Sequence, residues 1–514
     1  MPNRLFRIAL IFLHSLAIAT VAAGKPEVPS PSIQLPITAV RCDEFNIQIT
    51  EQLDPVSVVA ALDPPVFNWF SGTFTGLPVD REITLGFCLN GMDALRNHAD
   101  VAKWKNLHPM MTTSDPAQYH TYEWFRKDPT GRWLSGDPFK TEEERFAGTG
   151  RLPIQQALPP DVADQFLAED GTYWSPWREV DRATTVPSLN IFRIHQRFTQ
   201  PSATIAMRVP FTYRYLQQVI ERLRAANLPG VFVDELGETP DKRKLQVIRV
   251  EDPAPTPHAA AHRTVLVIAR EHATEHAASW MAYGALQAVL PNTPEANALR
   301  KGVTWLFILL QDPDGAAHCT YDRMTERFAR ASDADTPPEV FDYARYFTDY
   351  VNHGGGIDVV VSLHNVEAGE ISNLACPFID RRHQETVQAF NRQLQETVTR
   401  AGFRCDPLDR PWDIGLVNSR LFGWCVRHFG SCSLVYEVND RYPDNRLSLS
   451  QLQHIGRLLS MRLGEWLYSA QGERLHQAAQ ERLREREKSR AEYFKRMHRA
   501  PEKKTRAEML LLGY

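Results

Sequence analysis

The chain has few cysteines, and none of them stands in the paired spacing of a metal-binding site. Seven occur in 514 residues without a C-x-x-C unit, which disfavours a zinc site built from cysteines. We expect most of them to be small buried residues, with one or two disulfides if the protein is exported. They are Cys42, Cys88, Cys319, Cys376, Cys405, Cys425 and Cys432.

Neither sign of charge dominates the chain. The 58 lysines and arginines nearly balance the 62 aspartates and glutamates, which leaves a net charge of -4. This balance disfavours nucleic acid as a partner. With 43% hydrophobic and 23% charged residues the composition is typical of a soluble globular protein, and 514 residues are too many for one ordinary domain.

Long hydrophobic runs are absent beyond the N-terminus. Residues 1–23 place Arg4 and Arg7 before an apolar run that ends in small residues, which predicts a signal peptide cleaved after Ala23. We therefore expect an exported protein, periplasmic or secreted, with no stable membrane span after cleavage. An uncleaved membrane anchor is the alternative interpretation.

Changes in composition predict the domain organisation. A proline-rich linker at 24–37 precedes a β-rich N-terminal domain at 38–205, where short strands such as FNIQIT alternate with turns such as DPTGRWLSGDP. Residues 206–470 alternate apolar strands with amphipathic helices, and a highly charged helical tail occupies 471–514. This pattern indicates an α/β fold, with a sheet covered on both faces, preceded by a β-sandwich-like domain.

The segment REHATEH, residues 270–276, allows two metal-site interpretations. In the pattern H-x-x-E, His272 and Glu275 bind one metal ion. In the pattern H-x-x-E-H, His272 and His276 are the ligands and Glu275 is a catalytic base. The second pattern requires a helix that is already running before His272, whereas the preceding residues TVLVIA are typical of a buried strand. We therefore favour H-x-x-E at a strand end.

Two further strand ends complete the candidate site. IDVVVSLH ends in His364, and SCSLVYEV carries Glu437 within an otherwise apolar strand. A carboxylate in such a strand is costly unless it has a partner. His272, Glu275 and His364 form a two-histidine, one-carboxylate set that suits one zinc ion with an open position for water. Glu437 is then the candidate general base.

In the order of these motifs the chain resembles the zinc metallocarboxypeptidases, and most of all the cytosolic carboxypeptidase-like branch with an N-terminal β-domain. The resemblance rests on four segments, AREHATEHAASW, LLQDPDGAAHCTYDR, VVVSLH and SLVYEV. The resemblance implies a mixed-sheet α/β/α sandwich, zinc as the cofactor, and Arg323 as an oxyanion stabiliser that could also bind substrate.

The chain departs from the family pattern around this arginine. Asp312 stands where the family turn has asparagine, and Arg323 is displaced by about one residue. The family's later Asn-Arg pair, which holds the substrate's terminal carboxylate, is not recognisable, although Arg327 and Arg330 are possible substitutes. Arg323 could instead form an ion pair. Arg420 and Arg427, which precede the Glu437 strand, could line a pocket, although we expect them on a solvated face.

The sequence therefore predicts an exported zinc-dependent metallocarboxypeptidase-like hydrolase. It would cleave an amide bond at the C-terminus of a peptide or protein substrate by a zinc-activated water, with Glu437 and Arg323 as catalytic residues. Two alternatives remain open at this point: an amidase or deacylase on the same fold, and an inactive secreted binding protein. The sequence sets no oligomeric state.

Overall fold

Strands and helices alternate along the C-terminal two-thirds of the chain in the computed structural model. It describes residues 36–113, 177–253, 262–407, 420–497 and 505–512, apart from gaps at 41–42, 64–65, 67, 89–103, 105–106, 187–190, 291–293, 325–326, 330–331, 333, 367–371, 376–380 and 443–444. From Ile37 onward these residues belong to one compact unit.

Two five-stranded sheets make up the β-rich N-terminal region. Their neighbour orders are β1-β4-β10-β6-β7 and β2-β3-β5-β9-β8. Residues of both sheets, such as Phe74, Ile205, Leu85 and Ile194, enter one hydrophobic core, so the sheets pack face to face. The strands are β1 (Thr38–Val40), β2 (Ile47–Asp54), β3 (Ser57–Leu62), β4 (Ser71–Thr75), β5 (Glu82–Cys88), β6 (Met110–Thr112), β7 (Arg178–Glu179), β8 (Arg182–Val186), β9 (Ile191–Arg197) and β10 (Ser202–Ala206).

A mixed eight-stranded sheet forms the centre of the rest of the chain, in the order β11-β12-β14-β13-β15-β18-β16-β17. Its central strands β14, β13, β15 and β18 are mutually parallel. The strands are β11 (Val231–Glu238), β12 (Lys244–Val250), β13 (Arg263–Ala269), β14 (Val303–Ile308), β15 (Val359–Asn365), β16 (Asn373–Ala375), β17 (Asp406–Pro407) and β18 (Cys432–Val438); a small hairpin pairs β19 (Arg441–Tyr442) with β20 (Asn445–Arg446).

Helices cover both faces of this sheet. The helices in the described residues are α1 (Tyr213–Ala226), α2 (His276–Val289), α3 (Pro294–Arg300), α4 (Pro313–Ala317), α5 (Pro338–Asn352), α6 (Arg381–Arg400), α7 (Leu421–Phe429), α8 (Leu449–Leu467), α9 (Ala470–Met497) and α10 (Arg506–Leu512).

Strand residues alternate between the two helical layers. Val265 and Val267 of β13 join the core with α1, α2, α6 and α8. Leu266 and Ile268 join the opposite core with α5, α7 and α10. The period of two along each strand produces this division, and it makes the fold a three-layered α/β/α sandwich.

The predicted fold class is confirmed, including the β-rich N-terminal region. Strand β11 and helix α7 were not predicted from the sequence. The proposed signal peptide at 1–23 and the DPTGRWLSGDP turn lie outside the described residues, and the domain boundary near residue 205 stays a prediction. Among the described residues, no helix combines the length and apolar composition needed to cross a bilayer.

Candidate metal centre and active site

The predicted site residues lie at the ends of neighbouring parallel strands. β13 ends at Ala269, which is level with Leu363 of β15. His364 is level with Glu437 on the adjacent strand β18. Because parallel strands present their carboxyl ends at one edge of the sheet, the segment after β13 meets His364 there.

His272, Glu275 and His364 meet through their ligating atoms. The Nδ1 atom of His272 lies 2.8 Å from Oε1 of Glu275, and Nδ1 of His364 lies 2.8 Å from Oε2 of the same carboxylate. Each of the three residues offers one ligating atom, and these atoms all lie within 4.8 Å of one another. All three side chains are buried. Tyr321 stacks on the His272 ring at a centroid distance of 4.2 Å, which restricts the ring's orientation.

The segment before α2 is held by long-range contacts. Arg270 adopts a positive φ of 68°, a conformation that is uncommon outside glycine. The Arg270 side chain, which is fully buried, donates to the backbone oxygens of Phe211 and Ala273. Thr274 donates to Asn68 of the N-terminal region at 2.8 Å. These bonds over-determine the turn that brings Glu275 beside His272.

His276 faces away from the triad. Its Nδ1 atom accepts the backbone N–H of Phe211 at 3.0 Å and lies 3.0 Å from Nη1 of Arg270. The Trp69 ring stacks on it with centroids 3.7 Å apart. Since this lone pair is used by two donors and α2 begins only at His276, the geometry favours H-x-x-E over H-x-x-E-H.

Electrostatic coupling within the triad is strong. Burial by itself would raise the pKa of Glu275, but the imidazoles of His272 and His364 hold this pKa well below its usual range. Burial lowers the pKa of His272, which Glu275 opposes and Arg420 reinforces. Burial also acts against charge on His364, yet Glu275 and Glu271 raise its pKa to about 10. The same carboxylate oxygens and imidazole nitrogens are the atoms that a divalent cation would contact.

Glu271 and Ser362 hold the outer side of His364, and neither was predicted from the sequence. Ser362 donates to a Glu271 oxygen and lies 2.8 Å from Nε2 of His364, while that Nε2 is 3.4 Å from Glu271 Oε2. Partners on the second ring nitrogen fix which nitrogen faces a metal. The one sequence signal for Glu271 was its position next to His272.

Glu437 lies on the strand next to His364 and level with it, and its role as a base stays a prediction. It is the one residue of β18 that is half-buried, whereas the other six are buried. His364 and Ser362 lie on the same face of the sheet as the α7 layer, and Glu437 follows Val435 on that face. Its carboxylate is therefore on the side of the sheet from which His364 projects.

Arg323 is part of an ion-pair cluster. Its Nη2 atom lies 2.5 Å from Asp312 and 2.5 Å from Glu339, and Nε donates to Asp312 at 3.0 Å. Both carboxylates are 0% exposed, and the Arg323 side chain is 24% exposed. The structure thus shows the ion-pair alternative, in a partly buried setting; the oxyanion role stays a prediction.

Asp312 immediately precedes the short helix α4. Asp312 caps α4 by accepting the Gly315 N–H at 2.8 Å. The asparagine-to-aspartate departure from the family pattern has a local reason, because a carboxylate here balances the Arg323 guanidinium.

The remaining arginines fall in different settings. Arg327 is half-buried, and Arg330 lies outside the described residues. Arg427 is exposed on α7 and donates to the Phe328 carbonyl at 3.1 Å, in keeping with a solvated face. Arg420 does not fit that expectation: it is half-buried, and its Nε and Nη1 atoms are buried.

The donor set fits zinc. Two imidazoles and one carboxylate are borderline donors that zinc accepts, and Ser362 and Glu271 leave Nδ1 of His364 directed at the shared centre. Among the described residues, the ligand group contains no cysteine; Cys319, Cys405, Cys425 and Cys432 are buried elsewhere in the fold.

Comparison with known proteins agrees with this geometry. Residues 216–384 match the peptidase M14 family, described as zinc carboxypeptidase. The matched segment includes the triad and Arg323 but not Glu437. Human cytosolic carboxypeptidase 6 is 26% identical over 106 residues, 21% of each chain, and the Caenorhabditis elegans protein of that name is 24% identical over 162 residues, 30% of this chain and 35% of the relative. The chain thus spans about a fifth to a third of these relatives.

Solved structures share the fold over most of the chain. The metallo-carboxypeptidase from Burkholderia cenocepacia superposes with a TM-score of 0.58 at 16% identity, covering 84% of this chain and 97% of that one. The Pseudomonas aeruginosa metallo-carboxypeptidase gives 0.57 at 15% identity, covering 84% and 98%. At these identities the likeness shows the fold.

The expectation of an exported protein was wrong. The curated relatives are named cytosolic carboxypeptidases, which contradicts a periplasmic or secreted location. An apolar run after two arginines is a compositional signal only, and it does not by itself establish targeting.

Proposed function

We propose that this chain, which matches the zinc carboxypeptidase family over residues 216–384, is a zinc-dependent metallopeptidase that removes residues from the C-terminus of a peptide or protein. The observation that carries the proposal is the convergence of His272, Glu275 and His364 on one centre, with Glu437 level with His364 on the next strand. This combination provides metal ligands and a separate carboxylate base at one sheet edge.

The triad would hold one zinc ion through Nδ1 of each histidine and the Glu275 carboxylate. When bound, zinc supplies Lewis-acid activation of a water nucleophile and of the scissile carbonyl. Glu437 takes the proton from the attacking water on its carboxylate and delivers it to the departing amine. Glu271 and Ser362 keep the His364 ring oriented throughout.

A half-buried Glu437 suits this role. Complete burial would keep a carboxylate from meeting water, whereas full exposure would leave it without fixed orientation. Its place on a central strand provides a rigid support for the proton transfer.

The test is incubation of the purified, zinc-loaded protein with a peptide library, followed by mass spectrometry. We expect successive loss of single C-terminal residues from free-acid peptides, at a rate that is about 10²- to 10⁴-fold lower in the Glu437→Gln variant. Cleavage of C-terminally amidated peptides at the same rate would instead identify an amidase or endopeptidase. No cleavage by the zinc-loaded wild type would contradict the proposal.

A further inference from the structure

Helix α2 begins without a side-chain cap from its own N-cap residue. That residue is Glu275, and within the described part of the chain its carboxylate makes no hydrogen bond to the first turn. The first N–H groups of a helix have no partner inside the helix, and the N-cap side chain commonly accepts one of them. Both carboxylate oxygens of Glu275 instead face imidazole nitrogens of His272 and His364. A metal-binding role for Glu275 therefore leaves the start of α2 to another residue.

Asn365 fills this position from the neighbouring strand. It is the last residue of β15, it directly follows His364, and it is buried. Its Oδ1 atom accepts the N–H of Ala277 at 3.1 Å. Ala277 is the second residue of α2, one of the two positions that an N-cap side chain usually serves. The cap of α2 thus comes from a residue 88 positions further along the chain.

The pleat of the sheet directs Asn365 toward this helix. Leu363, two residues earlier on β15, belongs to the hydrophobic core that contains α2. Because alternate residues of a strand share a face, the Asn365 side chain lies on the α2 side and that of His364 on the other. One strand end therefore supplies a candidate metal ligand on one side and a helix cap on the other.

Two further hydrogen bonds fix Asn365 at the centre. Its backbone N–H donates to Oε2 of Glu275 at 3.2 Å, the oxygen that also faces His364. Its Nδ2 group donates at 3.3 Å to the carbonyl of Val438, which follows Glu437 on β18. Asn365 is thus bonded to a candidate metal ligand, to the helix that follows this ligand and to the strand of the candidate base.

The two side-chain contacts explain why an amide stands here. The Ala277 N–H can only donate and the Val438 carbonyl can only accept, so the group between them needs both an acceptor and a donor. An amide has both, whereas an ionised carboxylate has only the acceptor and an alkyl group has neither. The bond to Val438 therefore sets the direction of the amide and turns its oxygen toward α2.

We propose that Asn365 is a positioning residue of the candidate metal centre: it caps α2 in place of Glu275 and so leaves the Glu275 carboxylate to the metal ion. This inference rests on the metal site of the proposed function. An uncapped α2 would compete with the ion for this carboxylate, because the N–H groups of the first turn and the positive end of the helix dipole both attract an anion.

Zinc affinity of the full-length protein tests the proposal without requiring turnover. Chelator competition is measured for the wild type, Asn365→Leu and Asn365→Asp, beside thermal unfolding of each metal-free protein. Leucine is close to asparagine in size but makes neither side-chain bond. Aspartate keeps the acceptor for Ala277 and loses the donor for Val438. If Asn365→Leu does not fold, Asn365→Ala takes its place, since it removes the same bonds with less bulk.

Gln196→Met is the matched control. Gln196 is a buried amide in the N-terminal region that likewise accepts one backbone N–H and donates to one backbone carbonyl. Its replacement by a side chain of similar length removes the same kinds of bond outside the metal centre.

We expect Asn365→Leu to bind zinc about 10- to 100-fold more weakly than the wild type, the loss typical of a residue that orients a ligand. Asn365→Asp should bind zinc at least as tightly as the wild type, because it keeps the cap and adds a negative charge near the ion. Gln196→Met should lower the unfolding temperature and leave the zinc affinity unchanged.

Three results would overturn the inference. Asn365→Leu with the zinc affinity of the wild type would show that Glu275 needs no external cap. Equal losses of affinity in Asn365→Leu and Gln196→Met would reduce the effect to general destabilisation. A loss in Asn365→Asp as large as that in Asn365→Leu would exclude the cap as its cause.

Failure of the proposed function gives a different result. It appears as absent turnover by the zinc-loaded wild type, while the differences in zinc affinity between the variants persist. A wild type that binds no zinc would overturn both the proposed function and this inference.

Discussion

His272 and His276 are four positions apart and both buried, yet they belong to opposite sides of one turn. On the front, His272 meets Glu275, and its other neighbours are His364 and the Tyr321 ring. On the back, His276 has two donors on one nitrogen and the Trp69 ring on its face. A histidine becomes a ligand when its lone pair is left for the metal; one whose lone pair is already bonded is structural.

The same contrast holds for the carboxylates. Glu275 on the front has its pKa held low by two histidines. Glu44 on the back is also buried, and burial raises its pKa to about 7 although Arg270 opposes the rise. The front therefore presents negative charge to a cation. On the back, Glu44 of the N-terminal region lies beside the buried Arg270 of the turn.

The largest effect should come from replacing one histidine on each side by alanine and comparing zinc content. His364→Ala removes a ligand on the front and should abolish zinc binding and, with it, turnover. His276→Ala should keep one zinc per chain, although it should unfold more easily because Arg270 and Phe211 lose their acceptor. Elemental analysis of both folded variants decides; zinc lost from His276→Ala and kept by His364→Ala would restore the H-x-x-E-H pattern.

Glu437→Gln tests the chemistry of the front without disturbing the metal. We expect full zinc content and a kcat that falls by about 10²- to 10⁴-fold, because proton transfer to and from the reacting groups is lost. Steady-state kinetics beside metal analysis provides the measurement. A kcat near that of the wild type would remove Glu437 from the mechanism.

Replacing Arg323 alone would leave two buried carboxylates, Asp312 and Glu339, without their cation. Asp312→Asn and Asp312→Asn/Glu339→Gln/Arg323→Ala are therefore compared with Asp312→Asn/Glu339→Gln, so that the last two proteins differ only in the arginine. If Arg323 stabilises the oxyanion, the triple variant should have a kcat lower than that of the double variant by about 10²-fold with little change in KM. Equal kcat values in these two proteins would leave Arg323 with a structural role alone.

Glu271→Gln tests how much the carboxylate beside Nε2 of His364 contributes to zinc binding. Zinc affinity should fall by about 10- to 100-fold, since that partner orients the ring and increases its basicity. Chelator competition measures the change. Asp314→Asn serves as a control, because this carboxylate is engaged with Arg243 and Thr239 away from the triad.

The smallest effect is expected at Glu44 on the back, where the free energy of unfolding should depend on pH. Because the pKa of Glu44 is about 7 in the folded protein and 4.5 for an ordinary glutamate, its protonated form favours folding at low pH. That contribution is complete below about 4.5 and is lost as pH rises through about 7. Chemical denaturation across this range should show the free energy of unfolding decline, and Glu44→Gln should flatten the decline while the exposed Glu51→Gln should not.

Local patterns were sufficient for the central strands and the ligands at their ends. Apolar β-branched runs identified β13, β15 and β18, and the short spacing of His272 and Glu275 placed both in one turn. Polar residues at the carboxyl ends of parallel strands then predicted the convergence with His364 and Glu437. None of these steps needs knowledge of a distant contact.

Other features could not be read from local patterns. α7 is only nine residues long, and its sequence did not predict that Leu421, Phe422 and Trp424 are core residues. Arg323 donates a hydrogen bond to Glu339, 16 positions away, and His276 accepts one from Phe211, 65 positions away. Such partners are chosen by the packing of whole layers.

The sequence by itself determined the alternation of strands and helices, the metal-binding residue types and their arrival at one edge of a sheet, since periodicity and spacing are local properties. Only the tertiary structure decided which histidine keeps a free lone pair, which arginine is already paired and which is not, and which carboxylate stands behind His364. These outcomes depend on hydrogen bonds between segments far apart in the chain, and a buried polar group takes its role from whichever partner the fold brings to it.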